Sequence, residues 1–317
     1  MSDSSEEMIK YHVRILSPKG VYPEKSIILN GAGYISDPEI SFIITHYEKN
    51  TGDSGHINES YSEVEWLNPS EAKIIACIMF AVDRDENYCS FYPHLSTETL
   101  NISTKNFNLE WIRNHVKPLL TATLVADTLK AKKSRYVSYA DIELPPILGG
   151  TLYDFRSTGI DYTLAKELFN CINLDDSLLI RGITTYIKAE MLSKHHQFME
   201  SAIYSIFITL EVSFRLVLRT LKAQGVVNPS SEDAMKYIHD SFNDVFRAEK
   251  YFEDYYKNRV MSLHPESRYG IFSNAPLAVD DYFFLTRDMI EIYAFLICGY
   301  IHPKHKSKII KTPAKLL

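Results

Sequence analysis

Two residues late in the chain, Arg259 and His264, carry the side chains that cleavage of a phosphodiester without a metal requires. An imidazole accepts and donates protons near neutral pH. A guanidinium binds a phosphate through paired, charge-assisted hydrogen bonds. RNA supplies its own nucleophile, the 2′-OH, so a protein needs only to move protons and to stabilise charge on the phosphorane. His264 can serve in either proton transfer, while Arg259 binds the non-bridging oxygens.

The five-residue separation of this pair limits how the two side chains can meet. It corresponds to about 1.4 turns of helix, which does not place them on one helical face. They converge only if the helix ends between them, and Pro265 makes an end there plausible. A plainer interpretation stays open, in which His264 is a helix C-terminal residue favoured by the dipole and Arg259 pairs with a nearby acid, namely Glu253, Asp254 or Glu266.

The composition describes an ordinary globular chain with room for two domains. It has 317 residues, 45% hydrophobic and 23% charged. Its four cysteines form no Cys-x-x-Cys pair, which indicates reduced, buried thiols. The acidic N-terminus is unlike a secretory signal, and no run of 18 apolar residues occurs. We therefore expect a cytoplasmic protein without a membrane span.

Charge is distributed unevenly between the two halves of the sequence. The net charge of −6 disfavours broad, nonspecific binding to nucleic acid. Residues 1–179 carry 16 Lys and Arg against 25 Asp and Glu, a net −9, whereas residues 180–317 carry a net +3. Phosphate binding is thus disfavoured in the first half, and the basic half is the one that contains Arg259 and His264.

The first half mixes strand and helix patterns. Strands are predicted at Tyr11–Leu16, Ser26–Leu29, Ile40–Tyr47 and Tyr61–Trp66, with turns at Asn30–Gly33 and Asn50–Asp53. Asn68-Pro69-Ser70-Glu71 is typical of a helix start. The following run, Ala72–Val82, fits either a helix or a buried strand. A second helix is predicted from Asn108 to about Lys133, bent or restarted at Pro118.

The second half is predicted to be helical. Leu144–Gly150 contains two prolines and two glycines, which excludes a regular helix and places a domain break near residue 145. The predicted helices are Asp161–Cys171, Ser177–His195, Gln197–Gln224, Ser231–Phe246, Glu249–Leu263 and Asp280–Gly299. The last of these is apolar on most sides, which predicts packing in the core or across a subunit interface.

Several helices with an Arg-x4-His pair late in the chain, and one helix after it, resemble the HEPN superfamily over roughly residues 175–300. Together with the mixed patterns of the first half, the resemblance predicts an α+β protein: an N-terminal mixed domain, 1–145, for sensing or regulation, and an all-α HEPN-like bundle, 146–317. It also implies a metal-independent endoribonuclease of the toxin or phage-defence kind, in which two copies of the motif face each other in a homodimer. Some members of the superfamily are inactive and serve as binding modules, which is the alternative function for this chain.

The resemblance also assigns roles to residues. Arg259 and His264 would be the motif pair, and Asn258 would stand in for the polar residue that often follows the Arg, a position held here by Val260. Glu211 would be the acid that an earlier helix supplies. The sequence itself offers a simpler role for Glu211, a surface pair with Arg215 four residues on.

The partners implied by these assignments are RNA, a second copy of the chain, and a regulatory protein or trigger at the N-terminal domain. No metal and no cofactor are expected, because no cluster of ligands at suitable spacing occurs in the sequence.

Overall fold

The chain folds as an α+β protein, with one antiparallel sheet and a set of helices. The computed structural model describes residues 7–17, 20, 22–23, 25–36, 39–47, 67–81, 91–123, 160–243, 245–251 and 279–303. Its five strands are β1 Met8–Leu16, β2 Ile27–Leu29, β3 Ala32–Ser36, β4 Ser41–His46 and β5 Pro93–Ser103. They lie in the order β2-β3-β4-β1-β5, and neighbouring strands are antiparallel.

Three predicted strands correspond to β1, β2 and β4, whereas β3 and β5 were missed. The predicted Asn30–Gly33 turn is shorter than expected, because only Asn30 and Gly31 form it and β3 begins at Ala32. Gly31 has a φ of +72°, which suits glycine in a tight hairpin. Gly33 lies within the strand, where a Cβ would come 2.8 Å from Ile28 Cδ1. The close approach of β2 explains why a glycine continues this strand.

The two faces of the sheet contact different helical segments. One face buries Tyr11, Val13 and Ile15 of β1 in a cluster that includes Ile112, Val116 and Leu120. These last three belong to α2, which begins at Leu109–Trp111, continues through a π-helical turn at Ile112–Val116 and extends over 117–123. The helix is therefore continuous across Pro118, and the irregularity lies in the turn before it. Because Pro118 has no N–H to donate to residue 114, a wider turn at this place is understandable.

The other face of the sheet contacts α1, Pro69–Ala81, which settles the choice between helix and strand for Ala72–Val82. Its start is a capping box: the Asn68 side chain accepts from the Glu71 N–H at 2.8 Å, and Glu71 accepts from the Asn68 N–H at 2.9 Å. Ten of its thirteen residues are buried. A helix this short with apolar residues on all sides must be covered on all sides, which explains the weak periodicity of its sequence.

Helices dominate the described residues from 161 onward. They are α3 Tyr162–Cys171, α4 Ser177–Leu192, α5 Met199–Ala223, α6 Ser231–Phe242, α7 Val245–Glu249 and α8 Val279–Cys298. The predicted starts of α3, α4 and α6 are confirmed by side-chain caps from Asp161, Asp176 and Ser230, respectively. The predicted helix Ser231–Phe246 is interrupted, because Asn243 adopts a left-handed conformation and a new helix starts at Val245.

The apolar core continues from the sheet into the helices. A single cluster of buried residues includes Leu16 and Tyr34 of the sheet, most of α1, and side chains of α3, α4, α5 and α8. Strand Tyr61–Trp66, most of helix Glu249–Leu263 and the boundary near residue 145 lie outside the described residues. The division into two domains stays a prediction, but the described parts of the two halves share an apolar contact centred on α1.

Within the described residues, α5 is long and apolar enough to cross a membrane by length and composition. However, 61% of its most apolar window is buried inside the protein, and a core helix passes the same test. This helix is therefore weak evidence for a membrane span.

A buried ion pair attaches α1 to the central strand. Arg14 donates to Glu71 twice, from Nε to Oε1 at 2.6 Å and from Nη2 to Oε2 at 2.9 Å. The side chains of Glu71 and Arg14 are only 1% and 9% exposed, so the pair is shielded from solvent. His12 Nε2 lies 3.0 Å from Glu71 Oε1. Removing one member of a buried ion pair is strongly destabilising, because the other stays buried with less compensation for its charge.

We expect Glu71→Ala to lower the free energy of unfolding by about 3–5 kcal/mol, because buried Arg14 would lose two charge-assisted hydrogen bonds and α1 would lose part of its cap. Urea denaturation followed by circular dichroism measures the change. Arg215→Ala is the matched control: it breaks an ion pair in which Arg215 is 64% exposed, and should cost at most about 0.5 kcal/mol. Equal losses in the two variants would contradict the importance assigned to the buried pair.

Candidate functional site

Three of the four predicted site residues, Arg259, His264 and Asn258, lie outside the described residues. Their mutual geometry therefore stays a prediction. The fourth, Glu211, lies near the middle of α5, and the described elements that flank the motif in sequence are α7 and α8. The surroundings of the motif can be built from these three helices.

Glu211 forms the simple helical pair that its sequence suggested. Arg215 Nε donates to Glu211 Oε1 at 3.0 Å, and the two side chains are 64% and 27% exposed. The Glu211 carboxylate has acceptor capacity beyond one bond, since two oxygens carry about four lone pairs. A second role for Glu211, in orienting Arg259, is compatible with this pair and stays a prediction.

Tyr251, the last described residue before the motif, is anchored to α5, the helix that carries Glu211. Its hydroxyl forms a hydrogen bond with Ser213 Oγ, two residues beyond Glu211 on α5, and the tyrosine is buried. Burial raises the pKa of this phenol, the Ser213 bond lowers it, and the charge of Glu211 raises it further. The segment that leads into Arg259 thus starts at a residue fixed to α5, the helix that carries the predicted supporting acid.

A group of buried charges connects α7 to α8. Arg247 on α7 donates through Nη1 to Glu291 on α8, and both side chains are less than 10% exposed. The Arg247 guanidinium also lies 4.9 Å from the ring centre of Phe242. These contacts fix the orientation of α7, which ends two residues before Tyr251.

Asp288, one turn before Glu291 on α8, has an unusual pKa. Burial raises it from 3.8 to about 6, Arg247 lowers it and Glu291 raises it, with smaller lowering by Lys250 and Arg287. A carboxyl that titrates this close to neutrality is a recognised mark of functional sites and also of structural ion networks. We missed Arg247, Asp288 and Glu291 in the sequence. The available signal was two acids among the apolar residues Met289, Ile290 and Ile292 of a core helix.

Close packing holds α5 against its neighbours. Gly182 of α4 admits both Tyr293 and Val212, since a Cβ there would lie 2.1 Å from the Tyr293 hydroxyl oxygen. That hydroxyl donates to the Thr209 carbonyl at 2.9 Å, and the hydroxyls of Thr185 and Thr209 lie 3.0 Å apart. The buried face of α5 is therefore fixed by hydrogen bonds inside an apolar core.

The final helix α8 buries its apolar side chains within the chain. Its buried residues include Leu285, Met289, Ile292 and Tyr293, while Phe284 is 46% exposed. Of the two sequence expectations for this helix, packing in the core is the one observed. The apolar character of α8 accordingly gives no independent reason to expect a subunit interface.

Within the described ranges, no group of three or more His, Cys, Asp or Glu side chains is placed to hold a metal ion. The three described cysteines are free, but only Cys77 is buried as expected, whereas Cys298 is partly buried and Cys171 is exposed. Cys77 is buried within α1, where burial raises the pKa of its thiol well above the usual range.

Comparison with protein-family models, with curated proteins and with solved structures found no match to the chain.

The raised pKa of Asp288 predicts a specific pH dependence of stability. Unfolded Asp ionises near 3.8, whereas the folded side chain keeps its proton up to about 6. Folding therefore takes up a proton in this window, and the contribution of Asp288 to stability falls as pH rises through it. An Asn at position 288 does not titrate, so Asp288→Asn does not lose stability in this way. The Tm of the variant minus that of wild type should increase between about pH 4 and pH 6 and stay constant at higher pH. Differential scanning fluorimetry at half-unit steps, with Asp240→Asn as an exposed control, measures the effect. A Tm difference that does not vary with pH would contradict the assignment.

Proposed function

We propose that the chain is a metal-independent endoribonuclease of toxin or phage-defence type that acts in the cytoplasm. The nuclease would be a HEPN-like helical bundle, residues 146–317, and residues 1–145 would sense a trigger or bind a regulatory protein. The observation that carries the proposal is the Arg259-x4-His264 pair, which follows a helical region in which Tyr251, eight residues before Arg259, is hydrogen-bonded to Ser213 on α5, the helix that carries the acid Glu211.

The proposed chemistry uses the internal 2′-OH of RNA. One imidazole removes the 2′ proton and one protonates the leaving 5′-oxygen, and in a homodimer the two copies of His264 can divide these tasks. Arg259 binds the non-bridging oxygens and stabilises the phosphorane charge. Cleavage then leaves a 2′,3′-cyclic phosphate and a 5′-OH, with no requirement for a divalent ion.

The charges around the described helices support a site that binds phosphate at this end of the bundle. Residues 180–317 carry a net +3, in contrast to the acidic first half. Arg215, on the exposed side of α5, adds a cation beside Glu211. In this proposal Glu211 orients Arg259 while accepting from Arg215, and Asn258 contributes a polar contact to the substrate.

The alternative function is a non-catalytic HEPN-like module that uses its helices for dimerisation or partner docking. In that case Arg259 and His264 serve in ion pairs or in capping a helix. The two functions differ in a simple way, since only the nuclease has a transition state to stabilise.

We expect His264→Ala and Arg259→Ala each to abolish cleavage of a single-stranded RNA by the full chain while leaving its circular dichroism spectrum unchanged. Loss of an acid–base group costs about 10²–10⁴ in rate, and loss of a charge-stabilising donor costs roughly 10²–10³. Because both residues act on one phosphate, the double variant should be hardly slower than either single variant. Gel assays with EDTA and end-group analysis of the products measure these effects.

The matched controls are His239→Ala and Arg181→Ala, which remove the same side-chain types from exposed helical positions. Both should cleave at the wild-type rate. A requirement for a divalent metal, or full activity in His264→Ala, would exclude the mechanism. Failure of the pure wild-type chain to cleave any RNA would favour the binding module.

The proposal also includes a homodimer, because the two motifs of a HEPN-like nuclease face each other. We expect light scattering to give about twice the 36.5 kDa chain mass at micromolar concentration. A monomer under these conditions would argue against the paired site, and activity measured at the same concentration would show whether one copy suffices.

A further inference from the structure

A cavity of about 260 Å³ lies where the sheet, the start of α1 and the end of α3 meet. Ten described residues line it, including Thr45, His46, Ser70, Lys73 and Asn170. None of these ten carries a carboxylate, and Lys73 and His46 are the ionisable groups among them. The exposed side chains of His46 and Asn170 make the cavity reachable from solvent.

The first turn of α1 presents a donor to this cavity. Its cap uses the N–H groups of Asn68 and Glu71, and Pro69 has no N–H. Ser70, the remaining residue of this turn, lines the cavity and brings both a backbone N–H and a hydroxyl. The positive end of a thirteen-residue helix adds a favourable field for an anion.

Lys73 brings a full positive charge one turn further along the same helix. Its ammonium donates to the carbonyl of Ile172 at 2.8 Å and lies 4.5 Å from the ring centre of Phe169. These contacts hold the lysine at the cavity wall rather than in open solvent. Because an ammonium has three N–H donors, the bond to Ile172 is compatible with an additional acceptor in the cavity.

Thr45 supplies an independent sign that the cavity accepts a ligand. The residue is 1% exposed, and its hydroxyl oxygen Oγ1 has no hydrogen-bond partner among the described residues. A buried hydroxyl without a partner costs free energy, and such groups are uncommon in folded proteins. Thr45 lies opposite His12 and Ala32 in the sheet, on the wall of the cavity, so an acceptor bound there would satisfy it.

We propose that this cavity binds the phosphate group of a small phosphate monoester. The hydroxyls of Thr45 and Ser70, the Ser70 N–H and the Lys73 ammonium come from two elements, which suits a tetrahedral oxyanion with several acceptor oxygens. The volume exceeds that of the anion alone, and Phe169 and Leu174 form an apolar part of the wall. An organic group on the phosphate would lie against these two side chains.

The net charge of the first half made phosphate binding there unexpected. That average includes acids remote from the cavity, and the nearest one in the helix, Glu71, is engaged by Arg14 and His12. Burial alone would raise the pKa of Glu71, but these two partners hold it below its usual range. The electrostatic field in the cavity depends mainly on the charges of its wall. The net charge of residues 1–179 does not describe that field.

The test is isothermal titration of the full chain with inorganic phosphate, ribose 5-phosphate and ribose. We expect phosphate and ribose 5-phosphate to bind in competition, and ribose not to bind. Lys73→Met should weaken ribose 5-phosphate about tenfold or more, because a charge-assisted donor is lost. Thr45→Val should weaken it several-fold without lowering Tm, since the hydroxyl it removes has no hydrogen-bond partner among the described residues.

Lys25→Met is the matched control, because Lys25 also lies over an aromatic ring, 4.1 Å from that of Tyr162, and does not line the cavity. It should bind like wild type. The proposal fails if neither phosphate compound binds at millimolar concentration, if ribose binds equally well, or if Thr45→Val binds unchanged. The experiment measures binding and not RNA cleavage, so its result does not depend on whether the chain is a nuclease. If Lys73→Met does not fold, Lys73→Gln and Thr45→Val carry the same comparison.

Discussion

The structure depends on one buried carboxylate, that of Glu71. Through its oxygens it closes the cap of α1, binds the guanidinium of Arg14 and lies beside the ring of His12. Arg14 and His12 belong to β1, the strand between β4 and β5. A single side chain therefore sets the position of α1 on the sheet. Since α1 also packs on α3, α4 and α8, that position determines how the later helices meet the strands.

The starts of several helices could be predicted from the sequence, because each depends on contacts between residues close together in the chain. Asn68-Pro69-Ser70-Glu71 specifies a helix start through caps formed within four residues, and Asp161, Asp176 and Ser230 do the same for later helices. The pairing of Glu71 with Arg14 could not be predicted from the sequence. The two residues are 57 positions apart, and the residues around each of them do not indicate which partner it binds. Strands β3 and β5 were missed for a related reason: Gly33 and the polar residues of Pro93–Ser103 form strands only because neighbouring strands bind them.

The same contrast holds for the candidate sites. Arg259 and His264 stand out in the sequence because their side-chain chemistry is distinctive at short spacing. Asp288 gains its raised pKa from burial and from the negative charge of Glu291, and Arg247, which lies on another helix, lowers that pKa only in part. In the sequence Thr45 has no distinguishing feature. Only the fold buries its hydroxyl in the cavity beside the start of α1. Functional groups of the second kind arise from tertiary burial, which a linear pattern does not encode.

The central place of α1 has a consequence for synthesis of the chain. The helix is complete at residue 81, but its apolar partners in α8 end at residue 298. At roughly 5–20 residues per second, a ribosome needs about 10 to 40 s to supply them. During that interval the side of α1 that later contacts α8 leaves its apolar residues uncovered. Chaperone attachment to the nascent N-terminal half, and release only after α8 has emerged, is the expected course of folding in the cell.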